Sequence, residues 1–221
     1  MLKITYIPVV SDDFAARLEK GALEIDAAAQ VKGEYPPPQG IWETLLPPVF
    51  AFVVGGVSAA ILSEAGKDIY KGLKALVLES YDEASKSHYE WKAGRKEPTL
   101  SAPGGAGAAQ QQAIMSPPVK LTLQAEDAGV QLSFVFSRDL APAQVSAAYA
   151  AIGETMRVVL AYIGHLQAEF DSKRARPQLY RATMPENIWD EQLQFEASEI
   201  RALMRATFVF DAEAGIWGRV H

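Results

Sequence analysis

The side chains best suited to chemistry are few. There is no cysteine, which excludes thiolate zinc sites, dithiol redox pairs and cysteine nucleophiles. The three histidines are His88, His165 and His221, and no two of them stand at metal-ligand spacing. His165 and Glu169 lie one helical turn apart, close enough to share an acid–base site, although such a pair is ordinarily a surface contact. The serines sit in no GxSxG elbow. Gly104, Gly105 and Gly107 lack the Lys-Ser/Thr of a P-loop, and no GxGxxG occurs. The acidic neighbours Asp12–Asp13, Asp82–Glu83, Glu126–Asp127 and Asp190–Glu191 point in divergent directions on a helix, or stand solvated in a turn. Glycoside hydrolysis requires two carboxyls converging across a cleft, which sequence does not show, and solvated faces are the expectation. Lys173, Arg174 and Arg176 form the one basic cluster and are the candidate contact for an anion or an acidic partner. No catalytic, cofactor-binding or metal-ligating residue stands out, no cofactor is implied, and the expectation leans away from an enzyme.

Charge narrows the partners. Acids outnumber bases 27 to 21, giving a net charge of -6, and no region is strongly basic. General nucleic-acid binding therefore lacks its electrostatic footprint. Residues 1–10 contain a lysine and Pro8 but no apolar leader, so the expected address is cytoplasmic, with membrane association as the second placement.

The elements that would position these residues follow from periodicity and punctuation. Residues 3–10 alternate as a strand. Ser11 is an N-cap with Asp12 and Asp13 in the first turn. The helix after it sets Phe14, Leu18, Ala22, Ile25 and Ala29 on one face, and GEYPPPQG at 33–40 ends it in a stiff polyproline run. Residues 97–118 are rich in Pro, Gly, Ala and Gln and read as a linker or long loop. Beyond them, 119–125 and 130–137 form a hairpin around Gly129. Pro142 opens a helix to about residue 171, with Val145, Tyr149, Ile152, Met156, Val159, Ile163, Leu166 and Phe170 on one face. Residues 172–177 read as a basic break and 179–184 as a short strand. A helix from Pro185 then runs through Trp189, Leu193, Ile200 and Leu203. A second hairpin, 207–210 and 216–220, turns at 212–215.

One segment has unusual physical chemistry. Residues 45–62 carry no charge over 18 positions, just short of the ~20 apolar residues of a membrane-spanning helix. Pro47 and Pro48 interrupt its start. A buried helix, a buried strand followed by a helix, a membrane span and an interfacial segment all fit this pattern. The amphipathic helix that follows has Ile61, Ala65, Ile69, Leu73, Leu76 and Val77 on its apolar stripe and Lys67, Lys71 and Lys74 beside it. Gly66 and Gly72 weaken that helix by roughly 1 kcal/mol each, so outside contacts must hold it. The apolar run leading into GKDIYKGLK resembles small bacterial proteins of defence or conflict systems over about 30 residues. No motif in it carries an activity or a site.

The fold class expected is α+β: a helical N-terminal part with the apolar segment, and two antiparallel hairpins packed on a long helix. The division would be 1–96, a linker at 97–118, and 119–221, with the first strand able to join the sheet of the last part. The expected function is a non-catalytic interaction protein, associating with itself, another protein or a membrane. Its interaction residues would be Trp42, Phe50, Phe52, Ile61, Lys67, Ile69, Lys71, Leu73 and Lys74, and a bacterial defence-type system is its setting. Two alternatives remain. One is a small soluble enzyme whose site assembles from His165, Glu169, Arg174 and Arg181. The other is a ligand-sensing domain with an apolar cavity between the hairpins and the long helix.

Overall fold

A computed structural model of the chain describes residues 1–8, 10–34, 48–56, 67–86, 89–90, 99–100, 118–125, 129–177 and 185–220, without the side chains of 67–69, 86, 89–90, 99–100 and 186. Trp42, Ile61, residues 35–40 of the polyproline run, residues 97–98 and 101–117 of the 97–118 linker, Arg181 and the short strand expected at 179–184 lie outside the described residues.

Strands β1 (Leu2–Tyr6), β2 (Gln30–Gly33) and β3 (Phe50–Gly55) come from the N-terminal part, and β4 (Tyr89–Glu90) and β5 (Thr99–Leu100) form a separate two-stranded ladder. Strands β6 (Val119–Ala125), β7 (Val130–Phe136), β8 (Thr207–Asp211) and β9 (Ile216–Val220) follow. Seven of them make one sheet in the order β2-β1-β3-β6-β7-β8-β9. The pairs β1–β2, β3–β6 and β7–β8 are parallel, and the other three are antiparallel. Each parallel step needs a crossover, supplied by α1 (Asp12–Ile25), by α2 (Lys67–Lys86) and by α3 (Pro142–Ala175) with α4 (Glu186–Met204).

The molecule is therefore a mixed α/β fold with helices and strands interleaved, not a helical N-terminal part beside a hairpin region. Both hairpins form as expected, but β3 bonds in parallel to β6 with Phe52 opposite Leu121. That pairing joins the two parts through the sheet. The physical reason lies in the apolar run: Phe50, Phe52 and Val54 alternate with half-buried Ala51 and Val53. A strand flanked on both sides needs no charge along its length. No helix among the described residues is long and apolar enough to cross a membrane.

The register lines up Ile4, Phe52, Leu121, Phe134 and Phe208 across five strands, all 4% exposed or less. Against this face pack Phe14 and Leu18 of α1, Leu76 and Val77 of α2, and Tyr149, Ile152 and Met156 of α3. Trp217 closes the far end, edge-on to Phe134 and Phe136 and donating from Nε1 to the Ala148 carbonyl at 2.9 Å. The opposite face carries polar side chains. Thr122 and Ser133, register partners, share a buried hydroxyl contact of 3.1 Å, and burial pushes the neighbouring Lys120 amine below its ordinary range.

Local signals held at the starts of α1 and α3. Ser11 Oγ accepts from the Phe14 N–H at 3.2 Å, and Pro142 starts α3, where Gln144 Oε1 accepts from the Ala141 N–H at 2.7 Å. Two boundaries differ. α1 stops at Ile25, where Asp26 is extended and its carboxylate takes backbone N–H groups; this frees residues 30–33 to become the edge strand β2. α3 continues through the basic residues to Ala175, because Lys173 and Arg174 in the last turn suit the negative end of the helix dipole.

Candidate functional site

The residues expected to mediate contact divide sharply. Phe50 and Phe52 are fully buried in β3, and Leu73 is buried on α2. They hold the core and present nothing to a partner. Lys71 is exposed and already engaged, and Lys74 is half-buried. Lys67 and Ile69 belong to α2, but their side chains lie outside the described residues.

The basic cluster is likewise split. Arg174 and Arg176 are exposed at the end of α3, where Arg176 caps the helix through its N–H to the Ser172 carbonyl. Lys173 turns inward. Its Nζ lies 2.9 Å from Glu169 Oε1 and 2.9 Å from Glu196 Oε1. Hydrogen bonds to Glu196 and then Glu169 push the ammonium above its usual range, and the bond from Lys173 pulls the Glu169 carboxyl below its own. This three-centre pair ties α3 to α4. His165 is exposed one turn before Glu169, and of the described residues in the enzyme reading, His165, Glu169 and Arg174, Glu169 alone lines a cleft.

That cleft, about 320 Å³, opens between α3 and α4 and is lined by Tyr162, Leu166, Glu169 and Lys173 from α3, by Phe195, Glu196, Glu199, Ile200 and Leu203 from α4, and by Arg219 from β9. Its walls are built by helix periodicity. Tyr162, Leu166, Glu169 and Lys173 recur at steps of four, three and four along one face of α3. Its lip is apolar and open to solvent: Tyr162 is 52% and Phe195 64% exposed, with Val158 one turn before Tyr162 at 53% and Ile188 two turns before Phe195 at 45%. The buried Nε of Arg219 in this lining has no hydrogen-bond partner.

Tyr162, Phe195, Glu199 and Arg219 were not among the expected site residues. A signal for one of them was available. Phe195 lies off the stripe of Trp189, Leu193, Ile200 and Leu203. An aromatic on the polar side of an amphipathic helix has no core to enter. Arg219 gave no signal, because β9 reaches the cleft only through the sheet. Among the described residues no group of three or more His, Asp or Glu could hold a metal ion. Set against known proteins, the chain matches no family model, no curated protein and no solved structure.

Proposed function

We propose that the protein is a non-catalytic interaction module whose docking surface is the outer face of α3 and α4, rather than the apolar run at 45–62. The observation that supports this is the pair of solvent-facing aromatics, Tyr162 and Phe195, on either side of one cleft. Exposed aromatics in a contiguous apolar patch are characteristic of contact surfaces. The Lys173 bridge holds the two helices in fixed relation, so the patch is presented without a large ordering cost. A photo-crosslinking side chain at position 195 or 162, in the full chain expressed in its own cells, is expected to give a discrete macromolecular adduct. The same group at Lys20, exposed on α1, is expected to give none. Equal labelling at all three positions, or none at any, overturns the reading.

A second reading, a ligand-sensing domain, draws on the cleft volume and on the unpartnered Nε of Arg219. It requires that a small carboxylate or phosphate raise the melting temperature of the wild type and leave that of Arg219→Ala unchanged.

A further inference from the structure

We propose that the α3–α4 face receives a basic amphipathic helix, with its apolar residues seated on Phe195 and Tyr162 and its lysines or arginines against the carboxylates of α4. This rests on the docking reading above and names the chemistry of the partner.

The charge of α4 points to it. Its 19 residues carry five acids, Glu186, Asp190, Glu191, Glu196 and Glu199, against the single base Arg201. Glu196 is held by Lys173. Asp190, Glu191 and Glu199 are exposed and have no ion-pair partner among the described residues. Spacing then orders these charges around an anchor. Glu191, Phe195 and Glu199 follow at intervals of four, so they share one stripe of the helix. The exposed ring thus has a free carboxylate one turn to either side.

A cationic side chain one turn from an apolar residue seated on Phe195 would meet Glu191 or Glu199, so that the apolar and the charged contacts are made together. The cations of the cleft do not cancel this. Lys173 is neutralised by its two glutamates, and the Nε of Arg219 is buried, away from the exposed carboxylates of α4. A trough between two packed helices suits a third helix, read as anchors at one-turn steps. α4 is about 28 Å long, which matches a partner segment of roughly 18 residues. An anionic bilayer or a nucleic acid would face the same carboxylates as a repulsion.

The test is fluorescence anisotropy on the full chain with two labelled peptides of roughly 18 residues, one of Leu and Lys in an amphipathic helical pattern and one of Leu and Glu in the same pattern. The Leu/Lys peptide is expected to bind, more weakly as salt rises, and the Leu/Glu peptide not to bind. Phe195→Ala, and Glu191→Gln with Glu199→Gln, are each expected to weaken binding about tenfold or more. Glu19→Gln with Glu24→Gln removes the same charge from the exposed side of α1 and is expected to change binding by less than about twofold. All these positions are exposed, and unchanged melting temperatures verify that the variants fold. No binding of the Leu/Lys peptide, or equal weakening by the α1 and α4 charge variants, overturns the proposal. Binding of the Leu/Glu peptide that Phe195→Ala abolishes overturns the partner chemistry and leaves the docking reading standing. Failure of the crosslinking experiment overturns the docking reading itself.

Discussion

Asp26 joins the end of α1 to the first strand. Its Oδ1 accepts from the Ala28 N–H at 2.9 Å and its Oδ2 from the Leu2 N–H at 2.8 Å. These bonds, Ala28 first and Leu2 next, hold the carboxyl below its usual range against the opposing effect of burial. A carboxylate whose folded pKa is depressed contributes stability that is complete above its unfolded value of about 3.9 and is lost as pH falls through the folded one. Asp26→Ala is therefore expected to cost about 1–3 kcal/mol at neutral pH, because two backbone donors lose a charged acceptor. Urea unfolding of both proteins should show that gap narrowing as the pH falls below about 4. A gap independent of pH would mean that the carboxylate's charge contributes nothing.

The contact between α1 and α2 depends on two glycines. A Cβ on Gly21 would stand 2.7 Å from Leu76 Cδ2, and one on Gly72 would stand 2.9 Å from Ile25 Cγ1. The helix cost expected at Gly72 is thus offset by a close approach to α1. Gly164 of α3 has open space around the same position. Opposite outcomes follow for substitutions in two helices. Gly72→Leu is expected to destabilise by about 1–3 kcal/mol through overpacking against Ile25. Gly164→Ala is expected to stabilise by about 0.5–1 kcal/mol, since only backbone freedom changes. Thermal melts of the two variants check both signs; a neutral Gly72→Leu would show that the helices are free to move apart.

The whole molecule is organised around the parallel pair β3–β6. It joins residues 50–55 to residues 119–124 in the interior of the sheet. A fragment of residues 119–221 would keep both hairpins, α3 and α4, but would leave β6 as an uncovered edge beside Leu121 and Leu123. Such an edge is prone to intermolecular pairing. The fragment is expected to lack near-ultraviolet circular dichroism and cooperative unfolding, or to aggregate. A soluble fragment with a sharp transition would establish 119–221 as a domain of its own.

Short-range features of this protein were legible in the residues. Ser11 and Pro142 mark helix starts because caps satisfy backbone groups within one turn. The stripes of α3 and α4 record which side meets the core. Gly129 and Gly215 stand at the hairpin turns with positive φ of 61° and 69°, where a side chain would be strained. Residues 50–55 were ambiguous for a physical reason: a strand covered by neighbours and a buried or membrane helix are both simply apolar. β2 was invisible because only Val31 among its four residues is even half-buried, so it has no alternation to read. The sequence by itself determined most of the elements and which faces of the long helices are apolar. Tertiary structure decided the rest: β3 beside β6, and Tyr162, Phe195 and Arg219 around one cleft. Those groupings arise from pairing and packing between residues far apart in the chain, and no local pattern encodes which distant partner a strand or a helix face will meet.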